Sequence, residues 1–433
     1  MCRLATTQHI QTTHISRFNP IIGNTHHTQF NLLSHNSVEI VICLTILIPT
    51  NSKERLNRII FLIVNTVKTI DEWTNSIHTG DAVSVLQDFP DNSIHSVMFS
   101  PPYWGQRDYD VEGQIGLEQS LEEYISNIAT LTDELRRVLR PDGSMWINLG
   151  DGYGHQRQTK DESAASYDAE LHGDYSNIAD DYNDKCKLLL PSRVAIELID
   201  RGWILRNDVV WQKKNPMPES VTDRLSTTFE KVFHFVQEDA YYYDLDSVRE
   251  PYETDLEEEP PIGGIKHQDN MNKTYSGRTP DRTGKGKNPG DVLTLATGSS
   301  GEGHFAVYPD ELPELPIKAT APEKVCGNCA APYERTTPPE PSTNEETTTL
   351  PDSETESTKN TVNWEKQCNC ETDQTQSGIV LDPMCGRGTT CKAAAEHGRR
   401  YIGIELNPEY ADIARDYVPN TIQRTLTGFD TDS

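Results

Sequence analysis

Residues 379–390 place the tightest constraint on the fold. Ile379-Val380-Leu381-Asp382-Pro383-Met384-Cys385-Gly386-Arg387-Gly388-Thr389-Thr390 reads as a buried strand, a glycine-containing loop and the start of a helix that runs to His397. A second apolar strand, Tyr401-Ile402-Gly403-Ile404, ends in Glu405. Strand, loop, helix and strand in that order belong to an α/β sheet. Gly386 and Gly388 let the backbone approach a ligand closely, and the helix N-terminus behind them favours a carboxylate. Glu405 lies 23 residues after Asp382, a spacing that suits a carboxylate on ribose hydroxyls. A lone Gly-x-Gly is a weak signal. A glycine loop between strand and helix, with an acidic residue on the next strand end, is more specific.

A second stretch stands 282 residues upstream of Asp382. Ile94-His95-Ser96-Val97-Met98-Phe99 has the apolar, β-branched character of a buried strand, and Ser100-Pro101-Pro102-Tyr103 stops it. Strand ends are where ligand crevices form in open α/β sheets. The four residues suit a planar amino group. The Ser100 hydroxyl and the Pro101 carbonyl are acceptors, and Tyr103 offers a ring face. A plain Pro-rich turn closing a strand is the blander alternative.

Taken together, the two stretches resemble the amino-group DNA methyltransferases that use S-adenosylmethionine. Their catalytic motif is [Ser/Asp/Asn]-Pro-Pro-Tyr and their cofactor motif is Asp-Pro-Phe-x-Gly-x-Gly-Thr-Thr. The catalytic motif comes first here, an order similar to the circularly permuted β class, and the Ser version resembles the cytosine-N4 branch. The resemblance spans about residues 75–415. Met384 stands where the family usually has Phe; both are large and apolar. The implied fold is a Rossmann-like methyltransferase α/β sheet with helices on both faces, a target-recognition insertion and a small zinc-ribbon-like insertion. The resemblance assigns Ser100, Pro101, Pro102 and Tyr103 to catalysis. It assigns Asp81, Asp382, Pro383, Met384, Gly386, Gly388, Thr389, Thr390 and Glu405 to the cofactor. His304 and Phe305, in Gly303-His304-Phe305-Ala306-Val307-Tyr308-Pro309, resemble the motif that precedes the methionine-binding helix. An Asp at position 81 would face the adenine end of the cofactor; as a residue on its own it also suits a helix N-cap.

Charge sits awkwardly with a DNA partner. The 433 residues carry a net charge of −28, and a uniformly acidic surface repels phosphates. Acidity of this degree is read as an adaptation to high salt, hence a halophilic source. Local basic patches must then carry more of the affinity. One such stretch is 266–290, with Lys266, Lys273, Arg278, Arg282, Lys285 and Lys287 against Asp269 and Asp281. It is expected to be a flexible target-recognition loop, with a solvated tether as the alternative. Trp211-Gln212-Lys213-Lys214-Asn215 resembles the family's segment near the flipped base. Trp211 is expected to stack, and Lys213, Lys214 and Asn215 to contact the strand. Tyr241-Tyr242-Tyr243 reads as an edge strand whose rings serve packing.

Nine cysteines without a secretory signal argue for a reducing cytoplasm, and no 18-residue apolar run is present to span a membrane. Cys326-x2-Cys329 and Cys368-x-Cys370 flank turn residues and bracket 38 residues rich in Thr, Pro, Glu and Ser. They are expected to hold a structural zinc at the base of a disordered acidic loop; free thiols are the alternative. No Cys follows a Pro, so the nucleophile of cytosine-C5 methyltransferases is missing.

The chain is expected to divide at these points: a non-matching extension at 1–70, a catalytic half at 71–239, a target-recognition region at 240–300, a cofactor-lobe entry at 301–322, the cysteine insertion at 323–375, a cofactor-binding half at 376–425 and a tail at 426–433. Residues 1–70 hold six Lys/Arg against two Asp/Glu, unlike the rest, which suggests a start assigned too far upstream. The implied reaction is methyl transfer from S-adenosylmethionine to the N4 amine of a cytosine flipped out of duplex DNA. Adenine-N6 methylation on the same scaffold is the alternative. A non-catalytic zinc-containing DNA-binding protein and methylation of RNA or a protein amide remain as others. A cognate restriction endonuclease would be encoded elsewhere.

Overall fold

The computed structural model describes residues 69–154, 182–251, 286–298, 308–336 and 362–427, the last nine as backbone alone. In chain order the elements are β1 (Ser76–Thr79), α1 (Ala82–Leu86), β2 (Ile94–Phe99), α2 (Leu121–Val138), β3 (Leu139–Leu149), α3 (Leu190–Asp200), β4 (Ile204–Lys213), β5 (Phe229–Val236), β6 (Val292–Leu295), α4 (Glu314–Thr320), β7 (Val325–Cys326), β8 (Tyr333–Thr336), β9 (Asn363–Lys366), β10 (Thr375–Gln376), β11 (Ile379–Asp382), α5 (Thr389–Glu396), β12 (Arg400–Glu405) and α6 (Pro408–Thr427).

Eight strands form one sheet in the order β1-β12-β11-β2-β3-β5-β4-β6. The first five run parallel, β5 is antiparallel to both β3 and β4, and β6 runs parallel to β4. The expected α/β sheet is therefore present, with an antiparallel extension at one side. β6 lies in the 240–300 stretch assigned to target recognition, yet it forms the edge of this main sheet.

Alternation along the strands builds two cores. Val97 and Phe99 of β2, Ile379 and Leu381 of β11, and Ile402 and Ile404 of β12 face α1, α2 and α3. Val380 and Tyr401 face α4, α5 and α6 on the other side, and Met98 packs with Trp146, Val209, Trp211, Val232 and Leu312. Both faces of the sheet are thus covered, which is why every residue of β2 and β11 is buried, His95, Ser96 and Asp382 included. Each fully buried large side chain contributes roughly 1.5–3 kcal/mol.

Helix α2 follows its sequence closely. Ser120 caps it by accepting the Glu123 N–H at 3.1 Å, Glu122 and Glu123 occupy the first turn and Arg136 and Arg137 the last. Leu121, Tyr124, Ile128, Leu131, Leu135 and Val138 form its buried stripe. Pro141-Asp142-Gly143 is a turn-forming sequence, yet it does not separate helix from strand. β3 begins at Leu139, and the register against β2 jumps between the pairs Ile94–Leu139 and Ser96–Ser144. The turn-forming residues sit in an irregularity within the strand, the place where a Pro is tolerated in a sheet. Tyr241, Tyr242 and Tyr243 are not a strand. Tyr241 instead packs edge-on against His234 and accepts from Arg206 Nε at 2.9 Å.

Candidate active site

The five parallel strands bring their carboxyl ends to one edge of the sheet. Register sets the alignment: Thr79 lies beside Glu405, Asp382 beside Gly403, and Leu381 beside Val97. Asp81, Glu405, Asp382 and Ser100 consequently line one crevice side by side. Residues from the two motifs, 282 apart in sequence, meet because β2 and β11 are neighbours.

On the β11 side, the loop after Asp382 turns through Gly386 and Gly388, with φ of +53° and +91°. A Cβ at Gly386 would meet nothing within 4 Å, so the loop opens on free space, whereas one at Gly388 would press Val418 at 2.9 Å. Glu405 is buried and accepts the Gly386 N–H at 2.8 Å and the Asn407 N–H at 2.9 Å. Its carboxylate thereby fixes the loop against β12, and burial raises its pKa. Asp382 accepts the Met384 N–H at 3.1 Å and the Tyr308 hydroxyl at 3.3 Å. Tyr308 also bonds the Thr390 hydroxyl, and Thr390 in turn donates to the Met98 carbonyl of β2 at 3.3 Å. Thr389 opens α5 and is buried. Met384 packs against the core under α1–α3, the place a Phe would fill. Asp81 is the N-cap of α1, accepting from Ser84 N at 2.9 Å.

Burial pushes the Asp382 carboxyl up to about 7. A carboxyl raised in the fold stabilises the protein below its unfolded value and loses that contribution as pH rises through the folded one. In Asp382→Asn the unfolding free energy, relative to wild type, should therefore rise between pH 4 and pH 7 by up to roughly 4 kcal/mol. Denaturant titrations at the two pH values check this, and an unchanged difference would mean that Asp382 is not desolvated.

On the β2 side, Pro101 is buried, and the Pro102 carbonyl accepts the Tyr124 hydroxyl at 3.0 Å, pinning the turn to α2. The Tyr103 hydroxyl donates to Glu230 Oε2 at 2.6 Å, lies 3.2 Å from Asn148 Oδ1 and accepts from Ser100 Oγ at 3.4 Å. Burial, and then the Glu230 carboxylate, push the Tyr103 phenol well above its usual value, so it stays a neutral donor. Its ring lies directly over Gly150; a Cβ there would fall 2.5 Å from Tyr103 Cε2. The segment after the motif is anchored. Trp104 Nε1 donates to the Glu118 carbonyl at 3.0 Å, and Asn407 Nδ2 donates to the Tyr109 carbonyl at 3.3 Å.

The expected DNA-contacting residues fare unevenly. Trp211 is 3% exposed and belongs to the core with Met98 and Trp146, so its ring is not a stacking surface. Lys213 lies over that ring, 5.2 Å from its centroid, and pairs with Glu230 at 2.6 Å; its charge is spent inside the crevice. Lys214 is exposed. Asn215 accepts the Thr297 N–H at 2.8 Å and ties the end of β4 to the end of β6. Lys287 pairs with Glu250 at 3.4 Å. Lys273, Arg278, Arg282, Lys285, His304 and Phe305 lie outside the described residues, as do 1–68.

Three residues of the crevice escaped the sequence reading. Asn148 and Glu230 reach Tyr103 from β3 and β5, and Tyr308 reaches Asp382. Asn148 had a local signal, as the last polar residue before Gly150-Asp151-Gly152 at a strand end. Glu230 had none, because only antiparallel pairing brings the start of β5 to the end of β3.

The four knuckle cysteines come together. Their Sγ atoms all lie within 4.8 Å of one another, and all four are reduced. Cys385 and Cys391 are buried in the core beside Gly403. No helix among the described residues is long and apolar enough to cross a membrane.

Comparison with known proteins gives the family. Residues 94–328 and 357–416 match the N6/N4 DNA methylase family. The chain is 31% identical over 344 residues to the type II methyltransferase M.Cfr9I of Citrobacter freundii, covering 78% of this chain and 86% of that one. It is 30% identical over 348 residues to the type II methyltransferase M.XycI of Xanthomonas campestris pv. cyanopsidis, covering 79% and 87%. Among solved structures it is similar to PvuII DNA methyltransferase (cytosine-N4-specific), with a TM-score of 0.45, 18% identity and coverage of 82% of this chain and 93% of that one. The chain belongs to the N6/N4 DNA methylase family and is a DNA methyltransferase.

Proposed function

We propose that the protein transfers a methyl group from S-adenosylmethionine to the N4 amine of a cytosine flipped out of duplex DNA. The observation that carries the reading is the adjacency of β2 and β11. It sets Ser100-Pro101-Pro102-Tyr103 beside the Asp382–Gly388 loop at one crevice.

The β11 loop fits the cofactor. Gly386 opens on free space, Glu405 is fixed at the end of β12, where its carboxylate would accept from ribose hydroxyls, and α5 presents its N-terminus behind the loop. Asp81, Pro383, Met384, Thr389 and Thr390 complete that side, and His304 and Phe305 are assigned to it by motif alone. S-adenosylmethionine, when bound, supplies a methyl group on a sulfonium.

The protein's own residues do the rest. Ser100 Oγ and the Pro101 carbonyl accept from the exocyclic amine and direct its lone pair toward the cofactor side. Tyr103, held by Glu230 and packed on Gly150, offers its ring to the extruded base. Positioning and preorganised acceptors supply the acceleration, without a covalent intermediate. Ser100, in place of the Asp of many adenine-modifying relatives, is what favours cytosine.

The 214–228 loop projects at the same edge with Met217 at 85% and Leu225 at 91% exposure. With Lys214 it forms the proposed DNA-facing side, in place of the buried Trp211, and the basic residues of 266–290 are assigned to DNA by composition alone. The motif order corresponds to a permuted β-class enzyme, and the net charge of −28 to a cytoplasm rich in salt. The relatives' names point to a type II restriction-modification setting with a separate endonuclease. The four-cysteine cluster adds a structural Zn²⁺ outside the crevice.

Incubating the protein with duplex DNA and methyl-labelled S-adenosylmethionine, then resolving the nucleosides by mass spectrometry, is expected to yield N4-methylcytosine. N6-methyladenine would transfer the reading to adenine. Unlabelled DNA in high salt, with cofactor binding intact, would overturn it.

A further inference from the structure

The two cysteine pairs form more than a cluster of thiols. Cys326 lies in β7, paired with Thr375 of β10, and the chain then turns tightly: the Ala330 N–H donates to the Cys326 carbonyl at 2.9 Å, and Ala330 takes a left-handed φ of +56°. Within that turn the Asn328 N–H points at Cys326 Sγ at 3.5 Å, and Asn328 Nδ2 points at Cys370 Sγ at 3.4 Å. The Gly327 N–H donates to the Gln374 carbonyl at 2.8 Å, and a Cβ on Gly327 would fall 2.9 Å from that same oxygen. Lys366 donates to the carbonyls of Cys370 and Thr372, closing the second pair. Amide donors aimed at sulfur stabilise thiolate charge. Four sulfurs around a tetrahedral zinc, with bonds of about 2.3 Å, stand roughly 3.8 Å apart. The spread of at most 4.8 Å here approaches that spacing.

The knuckle is bolted to the main sheet at the edge opposite the crevice. Its Cys329 carbonyl accepts Arg140 Nη1 at 3.2 Å, and Arg140 is held by Asp142 through bonds of 2.8 and 2.9 Å. Its Ala330 carbonyl faces His95 Nε2 at 3.0 Å, while His95 Nδ1 faces the Ile379 backbone nitrogen at 3.1 Å. Ile379 can only donate, so Nδ1 accepts and Nε2 carries the proton to Ala330. One buried imidazole thus links the knuckle to β2, where it resides, and to β11, which begins at Ile379. Arg140 adds β3. These three strands end at Phe99, just before Ser100, at Leu149 and at Asp382, the floor of the crevice. β2 is six residues long, so the cysteines stand on the order of 16–20 Å from Ser100. At that range a metal touches no reacting atom.

We propose that Cys326, Cys329, Cys368 and Cys370 bind one Zn²⁺, and that the filled knuckle clamps the amino ends of β2, β3 and β11, holding the two motif-bearing strands in register through the Ala330–His95–Ile379 bridge. The zinc is that of the reading above and the clamp is added to it; neither depends on which base is methylated. Without the metal the knuckle loses the bonds that present both carbonyls, and the bridge loses its acceptor.

The test uses the full-length protein purified without chelator. Elemental analysis is expected to find close to one zinc per chain, with an absorption-edge spectrum of four sulfur neighbours at about 2.3 Å. Cys326→Ser is expected to lose the metal. Should that variant fail to fold, the wild-type metal content and spectrum decide the site by themselves, and iron or no metal would overturn it. For the clamp, hydrogen exchange is compared before and after chelation. The Ile379 amide is expected to exchange about tenfold or more faster once zinc is removed, while β4 and β6 are unchanged. His95→Phe is expected to keep the zinc yet show the same fast exchange at Ile379. Zinc bound with unchanged Ile379 exchange after its removal would overturn the clamp and leave the methyltransferase reading standing. Methylated DNA is not a readout here, so failure of either proposal is seen separately.

Discussion

Ser100→Ala is expected to lower kcat for DNA methylation about 10²–10³-fold, the cost of losing one preorganised polar contact to charge that develops in the transition state. The side chain stands at the end of β2 and, among the described residues, donates to the Tyr103 hydroxyl at 3.4 Å, a long contact that an incoming amine can replace. Cofactor affinity is expected to stay near wild type, because the loop held by Glu405 and Asp382 belongs to β11 and β12. Stability should change little, since a half-buried hydroxyl with one weak partner contributes roughly 1 kcal/mol or less. Single-turnover kinetics with saturating cofactor, beside calorimetric cofactor titration, separate the two. Equal losses in both would show that Ser100 positions the cofactor rather than the amine.

Gly150→Ala is expected to be the second most damaging change, although the residue bears no chemistry. The new methyl carbon would lie 2.5 Å from Tyr103 Cε2 and 2.9 Å from Cδ2. Contacts that short do not persist, so the ring must swing away, and its hydroxyl then leaves Glu230 and Asn148. Catalytic efficiency on DNA should fall about tenfold or more, because stacking on one base is worth roughly 1–3 kcal/mol. The overpacking should also cost about 1–3 kcal/mol of stability. Gly152→Ala, two residues on, is the control. Its methyl would sit at an ordinary 3.5 Å from Leu188 Cδ1, and activity is expected to be retained. Wild-type turnover in Gly150→Ala would show that the present position of the Tyr103 ring is not the one the base uses.

Both predictions turn on Tyr103, whose place was only half legible. Two consecutive prolines after an apolar run announce a strand end, and a strand end in a parallel sheet announces a crevice. Those signals are local, and so were the glycine loop, the carboxylate of Glu405 and the N-cap at Asp81. Each depends on backbone preferences within a few residues, and the structure has each in the element expected. Pro141-Asp142-Gly143 carried an equally local signal and was overridden, since β2 on one side and β5 on the other pair with the strand that runs through it.

The sequence by itself determined the α/β class, the two motifs with their order, and four cysteines of metal-ligand type, because strand, turn and helix propensities and Cys spacing act over short distances. Only the tertiary structure decided what those elements meet. The β4–β5 pairing sets Trp211 opposite Glu230, turning an expected stacking ring into core and an unremarked carboxylate into the anchor of Tyr103. The pairing of β2 with β11 sets His95 between Ala330 and Ile379, 235 and 284 residues away. Such contacts come from register and sheet order, which follow from the free energy of the whole packed core and leave no mark on the residues near each site.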